Sequence, residues 1–222
     1  MKKVLEISIY IIIGIVLIFS ITYLIKDYLN SPIVKYNNEY FNIPEYISSV
    51  DKDGDGIDDQ TDILNNAKKY IETKPKYKSE YYDGGYPKGE YGVCTDVVAI
   101  SLLNSGYDLR ELVNEHILAN RDMYNIETVD KNIDFRRVRN LDVYFKDTVI
   151  SLTTDIYDIK EWQGGDIVVF EKHIGIVSDI RNSKGIPYVI HHANSLQIYY
   201  EEDILEWHEL NGDGVIGHYR IT

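Results

Sequence analysis

The stretch Gly92-Val93-Cys94-Thr95-Asp96-Val97-Val98 contains the single cysteine of this 222-residue chain. The residues after it are apolar on most sides as far as Gly106, a typical helix stop, so the pattern predicts a buried helix that begins at Cys94. The N-terminus of a helix carries unpaired N–H groups and a partial positive charge, which favour a thiolate over a thiol. A lone buried cysteine is more commonly an inert apolar residue. Whether Cys94 is a nucleophile therefore depends on the rest of the chain.

The pattern on either side of this helix predicts an α+β fold. Apolar spacing predicts one helix that begins at Asp62 and another that Asp108 caps. From Val149 onward, short apolar runs alternate with turn signals, as in an antiparallel sheet. The predicted strands are 149–152, 167–170, 174–177, 188–190, 197–200 and 217–221, and 211–214 is predicted to be a hairpin turn. We therefore expect N-terminal helices packed on a C-terminal sheet.

An uncharged segment near the N-terminus, residues 7–25, predicts one transmembrane helix. At about 1.5 Å per residue it crosses most of a hydrocarbon core of roughly 30 Å. Lys2 and Lys3 precede it, and the positive-inside rule then places the rest of the chain on the extracytoplasmic side. The alternative is a cleaved signal peptide, but the segment contains no alanine for an Ala-x-Ala cleavage site. We predict a single-pass anchor in the cell membrane over residues 1–27 and an extracellular spacer over residues 28–50.

Charge and cysteine content restrict the partners. The formal charge is −13, so the sequence predicts no nucleic-acid binding, which depends on neutralising phosphates. A single cysteine cannot form an internal disulfide. Outside the cell, the domain would depend on its core or on a bound ion for stability.

Residues 51–62 read Asp-Lys-Asp-Gly-Asp-Gly-Ile-Asp-Asp-Gln-Thr-Asp, which is the pattern of a calcium loop. Oxygen ligands fall at positions 1, 3, 5, 9 and 12 and glycine at position 6. The loop resembles those of dockerins and other extracellular calcium repeats, although position 12 is aspartate rather than glutamate. The alternative is a solvated acidic turn. We predict a structural Ca²⁺ whose ligands are Asp51, Asp53, Asp55, Ile57, Asp59 and Asp62.

Two histidines at strand ends are candidates to assist Cys94. His173 opens the predicted strand 174–177, and His191 closes the strand 188–190. A hairpin of these strands would bring the rings together, and a thiol needs a base that is itself oriented by a third group. His192 is an alternative third member, but neighbouring residues on a strand point to opposite faces.

Taken together, Val93-Cys94-Thr95-Asp96, Asn132-Ile133-Asp134, Gly165-Asp166-Ile167-Val168, His173-Ile174-Gly175-Ile176-Val177 and Ile190-His191 resemble the NlpC-type cell-wall peptidases of the papain-like superfamily. They resemble more closely a related bacterial domain of unassigned function. The resemblance covers roughly residues 62–222 and implies a papain-like, NlpC-like fold over residues 63–222. It also implies that Cys94 is the nucleophile, His173 the base and His191 the residue that orients the base. NlpC-type enzymes usually have Asp-Cys-Ser at the nucleophile, whereas this chain has Val93-Cys94-Thr95.

The sequence thus predicts a membrane-anchored cysteine peptidase or amidase that cleaves an amide bond, with peptidoglycan peptides or a related amide as substrate. Backbone N–H groups at the helix start would hold the oxyanion, and Tyr81, Tyr82 or Tyr86 is expected to add a donor. Two alternatives stay open: a catalytically silent cell-wall binding or scaffold module, and an acyltransferase or lipid amidase on the same fold. A thiol probe would separate enzyme from silent module if a catalytic Cys94 has a lowered pKa.

Overall fold

In the computed structural model, the backbone is described for residues 2–30 and 35–222, and the side chains for residues 8–25 and 35–222. The N-terminal helix α1 (Lys2–Asn30) contains the apolar span Ser8–Ile25. This helix is long and apolar enough to cross a membrane, and a signal sequence near an N-terminus shares both properties. The side chains of Lys2 and Lys3, and residues 31–34 of the predicted spacer, lie outside the described residues.

The rest of the chain folds into helices and a mainly antiparallel sheet. The helices are α2 (Asp59–Glu72), α3 (Cys94–Asn104), α4 (Leu109–Ala119), α5 (Val138–Thr148) and α6 (Leu205–Asn211). The strands are β1 (Lys76–Tyr77), β2 (Tyr91–Gly92), β3 (Ile150–Ser151), β4 (Ile167–Val169), β5 (Ile174–Arg181), β6 (Pro187–Ile190), β7 (Glu201–Glu202) and β8 (Gly217–Arg220). This arrangement confirms the predicted α+β class.

Six strands form one antiparallel sheet in the order β3-β8-β4-β5-β6-β7, while β1 and β2 pair separately in parallel. At the centre, β5 and β6 form a hairpin in which Ile176 lies opposite Ile190 and Val177 opposite Val189. The hairpin predicted to join the two histidine-bearing strands is therefore confirmed.

Helix α3 lies against this sheet and is apolar on nearly all sides, as its sequence predicts. Val97, Val98 and Leu102 are each 0% exposed, and they share one core with Ile174 and Ile176 of β5. Complete burial of a Val or Leu side chain contributes roughly 1.5–3 kcal/mol. Burial on several sides fixes α3, and with it Cys94, relative to β5.

Four features of the secondary structure differ from the sequence predictions. Helix α2 begins at Asp59 rather than Asp62, because the Asp58 carboxylate accepts the Thr61 N–H as an N-cap. The spacer was assigned no element, but it includes a short 3₁₀ helix, Glu39–Phe41, and pairs with β5 through Tyr36. Residues 197–200 do not form a strand; the short strand β7 follows them.

The fourth difference concerns the turn predicted at 211–214. No hairpin forms there, because the preceding residues form helix α6 and Gly212, with a φ of 80°, ends it in the left-handed conformation. Only glycine adopts this conformation without strain, so the same residue type suits a hairpin turn and a helix C-terminus equally.

Candidate active site

Cys94 is the first residue of α3, and a buried ion pair holds this helix end in place. Asp96 Oδ2 accepts the Val93 N–H at 2.9 Å. The Arg136 guanidinium donates to both oxygens of Asp96, at 2.8 Å each, and the two side chains are 3% and 0% exposed. Such a two-point contact fixes the geometry as well as the charge balance. The start of α3 is thus fastened to the 3₁₀ helix Asp134–Arg136.

The Cys94 thiol is protonated in this resting structure. Burial raises its pKa from 9.0 to about 11, and the N–H groups of Ile174 and Thr95, which lower the pKa, do not offset this effect. As predicted, the N–H groups of the helix terminus lower the pKa of Cys94, but burial has the larger effect. Loss of water around the sulfur outweighs the helix-end field, so a lowered pKa cannot serve as the criterion for a catalytic cysteine here.

His173 and His191 meet at one end of the β5–β6 hairpin. Nε2 of His173 lies 2.8 Å from Nδ1 of His191, and the rings are nearly perpendicular, at 83°. Burial, followed by neighbouring His191 and His208, lowers the pKa of His173 well below its ordinary value. At neutral pH, His173 is therefore an uncharged imidazole that can accept a proton.

The cysteine and the histidine pair are joined through one peptide. Ile174 follows His173 directly, and its backbone N–H is directed at the sulfur of Cys94. Because Nε2 of His173 is occupied by His191, Nδ1 is the nitrogen left to receive the thiol proton. The structure therefore places Cys94 against the backbone of Ile174, the residue after His173, and His191 against His173.

His192 lies on the other face of the chain from the pair. Its ring contacts Tyr77 and Tyr200 edge-on, with centroids 5.3 Å and 5.1 Å away. Burial lowers its pKa to about 4, and its buried Nδ1 has no partner among the described residues. The contact with His173 favours His191 over His192 as the third member, and this assignment stays a prediction.

The tyrosines predicted near the nucleophile take other partners. The Tyr86 hydroxyl donates to Asp108 at 2.7 Å, and the Tyr81 hydroxyl accepts from Asn132 at 3.1 Å. The third, Tyr82, lies with its ring 4.8 Å from the Arg136 guanidinium carbon.

The tyrosine beside the nucleophile is instead Tyr77. Burial raises the pKa of Tyr77, and the neighbouring Cys94 raises it further. It belongs to the same tyrosine-rich loop as Tyr81, Tyr82 and Tyr86. Its placement follows from the pairing of Tyr77 with Gly92 in the β1–β2 sheet, which the sequence pattern does not predict.

Sequence reasoning missed two residues behind the histidine pair. Glu202 Oε2 lies 3.1 Å from Nε2 of His191, and Gln197 Nε2 donates to the same oxygen at 2.9 Å. Both follow His191 closely in sequence, but Gln197 was assigned to a predicted strand and Glu202 to none. Glu202 could be predicted as an acidic residue on the strand next to His191. That prediction requires knowledge of the strand order.

A cavity of about 210 Å³ opens beside the histidine pair. Its lining includes Asn194 and Gln197 on one side and Trp207 and His208 on the other. The Tyr23 hydroxyl of α1 also reaches this cavity and donates to Asn194 Oδ1 at 2.7 Å. His173 and His191 therefore lie next to a space with polar and aromatic walls.

The acidic loop brings three of its predicted ligands together. One carboxylate oxygen from each of Asp51, Asp53 and Asp55 lies within 4.8 Å of the others. Asp59 is turned elsewhere: Oδ1 accepts the Lys52 N–H at 2.7 Å, and its other oxygen binds the Tyr107 hydroxyl.

Asp62, at position 12, is mostly buried close to this group. Burial raises its pKa, and the nearby Asp55, Asp53 and Asp59 carboxylates raise it further. This charge crowding is what a bound divalent cation would relieve, but of the six predicted ligands only Asp51, Asp53 and Asp55 form a close group among the described residues.

The fold and the site together define a mixed α+β protein in which a cysteine at a helix start contacts the backbone of the first residue of β5, and two histidines in mutual contact lie at one end of the β5–β6 hairpin. A family model described as a domain of unknown function, DUF1287, matches residues 64–221, and the chain belongs to this family. It is 36% identical over 156 residues to the uncharacterized protein YijF of Escherichia coli (strain K12), which covers 66% of this chain and 72% of that protein. No solved structure matches the chain. Neither match links it to NlpC-type peptidases, so that assignment stays a prediction.

Proposed function

We propose that this protein is a cysteine peptidase or amidase with a papain-like, NlpC-like fold that cleaves an amide bond in peptidoglycan peptides or a related substrate. The observation that carries the proposal is the cluster of Cys94, His173 and His191. A thiol at a helix start, a neutral imidazole on the residue before the backbone N–H that contacts this thiol, and a second imidazole bound to the first are the parts that we assign to acyl transfer.

Because thiol and imidazole are both uncharged at rest, the reaction begins with general-base catalysis. Nδ1 of His173 takes the proton from Cys94 as the sulfur bonds to the amide carbon. His173 then gives this proton to the leaving amine nitrogen as the carbon–nitrogen bond breaks. Water next attacks the thioester, with its proton passing to His173, and the thiol reforms.

The oxyanion formed on each attack needs hydrogen-bond donors. The first N–H groups of α3 have no hydrogen-bond partner within the helix, and they point outward from its N-terminal end. The Tyr77 hydroxyl is the side-chain donor that we assign to this role, because Tyr77 is the loop tyrosine next to Cys94.

The experiment is mass spectrometry of purified muropeptides incubated with the full chain in detergent. The wild type is expected to release amine-terminated fragments, whereas Cys94→Ser and His173→Gln are expected to release at least ~10³-fold less. His116→Gln is the matched control, because His116 lies on α4, bound to Tyr124 and Asp147. A folded wild type that cleaves no muropeptide, or a Cys94→Ser variant that cleaves at the wild-type rate, would refute the proposal. The first result would favour the silent binding module.

We also propose that α1 is an uncleaved single-pass anchor, with the site on the extracytoplasmic side of the cell membrane. The support is the apolar span Ser8–Ile25 and the two lysines before it. Protease added to intact cells should digest the C-terminal domain and leave the N-terminal fragment in the membrane. Recovery of a chain that starts after residue 25 would instead show a signal peptide.

A structural Ca²⁺ in the acidic loop is the third part of the proposal. Its support is the closeness of Asp51, Asp53 and Asp55 and the position of Asp62 beside them. Adding Ca²⁺ to chelator-treated protein should raise Tm, by an amount that grows with concentration, as expected for a ligand of the folded state. The variant Asp53→Ala with Asp55→Ala should lose this increase, and Glu39→Ala, a carboxylate outside the loop, should retain it. An unchanged Tm in the wild type would make the loop a solvated acidic turn.

A further inference from the structure

We propose that Glu202 is a positioning residue that fixes the tautomer of His191 and, through His191, the tautomer of His173. The catalytic consequence of this inference rests on the proposed function, but the tautomers themselves can be measured without any substrate. The inference follows from the hydrogen bonds around Gln197, Glu202 and the two histidines.

The first step is the orientation of the Gln197 side-chain amide. Its Oε1 accepts the backbone N–H of Ala193 at 2.6 Å, and only the oxygen of an amide can accept. Nε2 must therefore point the other way, where it donates to Glu202 Oε2 at 2.9 Å. The backbone of Ala193 thus determines which amide atom faces the carboxylate.

The second step is the hydrogen on His191. Glu202 Oε2 already accepts from Gln197, and it lies 3.1 Å from Nε2 of His191. A carboxylate oxygen in this position accepts from the ring, so Nε2 of His191 carries the hydrogen. At a pH where His191 is neutral, its imidazole has a single N–H, and Nδ1 of His191 is consequently an acceptor.

The third step transfers this choice to His173. Nδ1 of His191 can accept only if Nε2 of His173 donates across their 2.8 Å contact. The single hydrogen of neutral His173 then lies on Nε2, and the lone pair lies on Nδ1, the nitrogen that takes the thiol proton. With the opposite tautomers, His173 would present an N–H to the thiol and could not act as a base.

The His191–Glu202 hydrogen bond, which sets the tautomer, lies between two buried residues. The His191 and Glu202 residues are 3% and 5% exposed, so protein atoms cover most of both residues. In the antiparallel pairing of β6 with β7, Glu202 lies opposite Val189 and Glu201 opposite Ile190. The two glutamates point to opposite faces, and Glu201 binds Ser178 at 2.5 Å instead. Glu201 is therefore a matched control for Glu202.

The experiment is long-range ¹H–¹⁵N NMR of the full chain in detergent with ¹⁵N-labelled histidine, at a pH where the imidazoles are neutral. In the wild type and in Glu201→Gln, His191 and His173 are both expected to carry the hydrogen on Nε2. In Glu202→Ala, Gln197 Nε2 remains 3.3 Å from Nε2 of His191 as a donor, so both tautomers should invert. In Glu202→Gln, the Gln197 donor selects the oxygen of the new amide, and the tautomers should stay as in the wild type.

A wild-type His191 with its hydrogen on Nδ1, or a folded Glu202→Ala variant with unchanged tautomers, would overturn the inference. If Glu202→Ala does not fold, the tautomers in the wild-type and Glu202→Gln spectra still test the inference. Turnover of muropeptides should fall by at least ~10²-fold in Glu202→Ala, since loss of the correct histidine tautomer in the serine-protease triad lowers turnover about 10⁴-fold. The predicted tautomers in a protein that cleaves no muropeptide would leave this inference standing and reject the proposed function.

Discussion

Alkylation of Cys94 as a function of pH is a direct test of the resting site. The change is a pH series from about 6 to 12 with iodoacetamide, which reacts with the thiolate. Because burial raises the pKa of Cys94 to about 11, the rate should rise with pH toward a midpoint near that value. At pH 7.5 the thiolate fraction should be roughly 100-fold smaller than for a thiol with a pKa of 9.0, since each pH unit is a factor of ten.

The raised pKa of Cys94 also affects the stability of the folded protein. A pKa of about 11 in the folded state against 9.0 for an ordinary thiol corresponds to about 3 kcal/mol at most. The folded pKa is the higher one, so this contribution is fully present below pH 9. It is lost as pH rises to about 11, because the unfolded chain loses its proton first.

Intact-protein mass spectrometry is a suitable assay, since the chain has one cysteine and gives one adduct. The chain in denaturant is the control, with a midpoint near that of a free thiol. An alkylation midpoint at or below pH 7 in the folded wild type would refute the reasoning. It would show that the helix terminus and His173 outweigh burial and that the resting pair is a thiolate and an imidazolium.

Two further predictions concern the supports of the site. Arg136→Met leaves the buried Asp96 carboxylate without its charged partner, which should cost about 3–5 kcal/mol of folding free energy and lower Tm by roughly 6–20 °C. The double variant Asp96→Asn with Arg136→Met should cost less than Arg136→Met alone. A Tm shift below about 2 °C for Arg136→Met in thermal unfolding would contradict this. Gly175→Ala places a Cβ 2.5 Å from Val189 Cγ1 and 2.8 Å from the Ile190 carbonyl oxygen, so the β5–β6 hairpin must open between the two histidines. We expect a lower Tm and lower muropeptide turnover, and an unchanged His173–His191 distance in a crystal structure of the variant would disagree.

Local sequence signals were sufficient where one element decides the outcome. The apolar run from Val97 to Leu103 with Gly106 after it predicted α3 well, because burial on most sides and a left-handed stop are both encoded locally. The Asp108 cap predicted the start of α4 for the same reason. The two histidines could be predicted because His173 precedes one apolar run and His191 follows another. Antiparallel pairing of these runs places both histidines at the same end of the hairpin.

The sequence was insufficient where the outcome depends on which strands are neighbours. Strand β7 has only two residues, Glu201 and Glu202, and neither has a high strand propensity; backbone pairing with β6 creates the strand. Tyr77 lies beside Cys94 because β1 pairs with β2, another two-residue contact. The raised pKa of Cys94 depends on the packing of α3 against β5, which no local pattern encodes.

The acidic loop and the site are connected through the same packed unit, although they do not touch chemically. Gln60, in the loop and at the start of α2, donates to the Gly164 carbonyl at 2.7 Å and to Asp166 at 2.9 Å. Asp166 also binds Arg220 and His218 of β8, at 2.6 Å and 3.0 Å, directly before β4 begins. An ion that orders the loop therefore stabilises the junction of α2 with the sheet, and the sheet carries the histidine pair. Calcium should accordingly raise Tm and leave the alkylation midpoint of Cys94 unchanged.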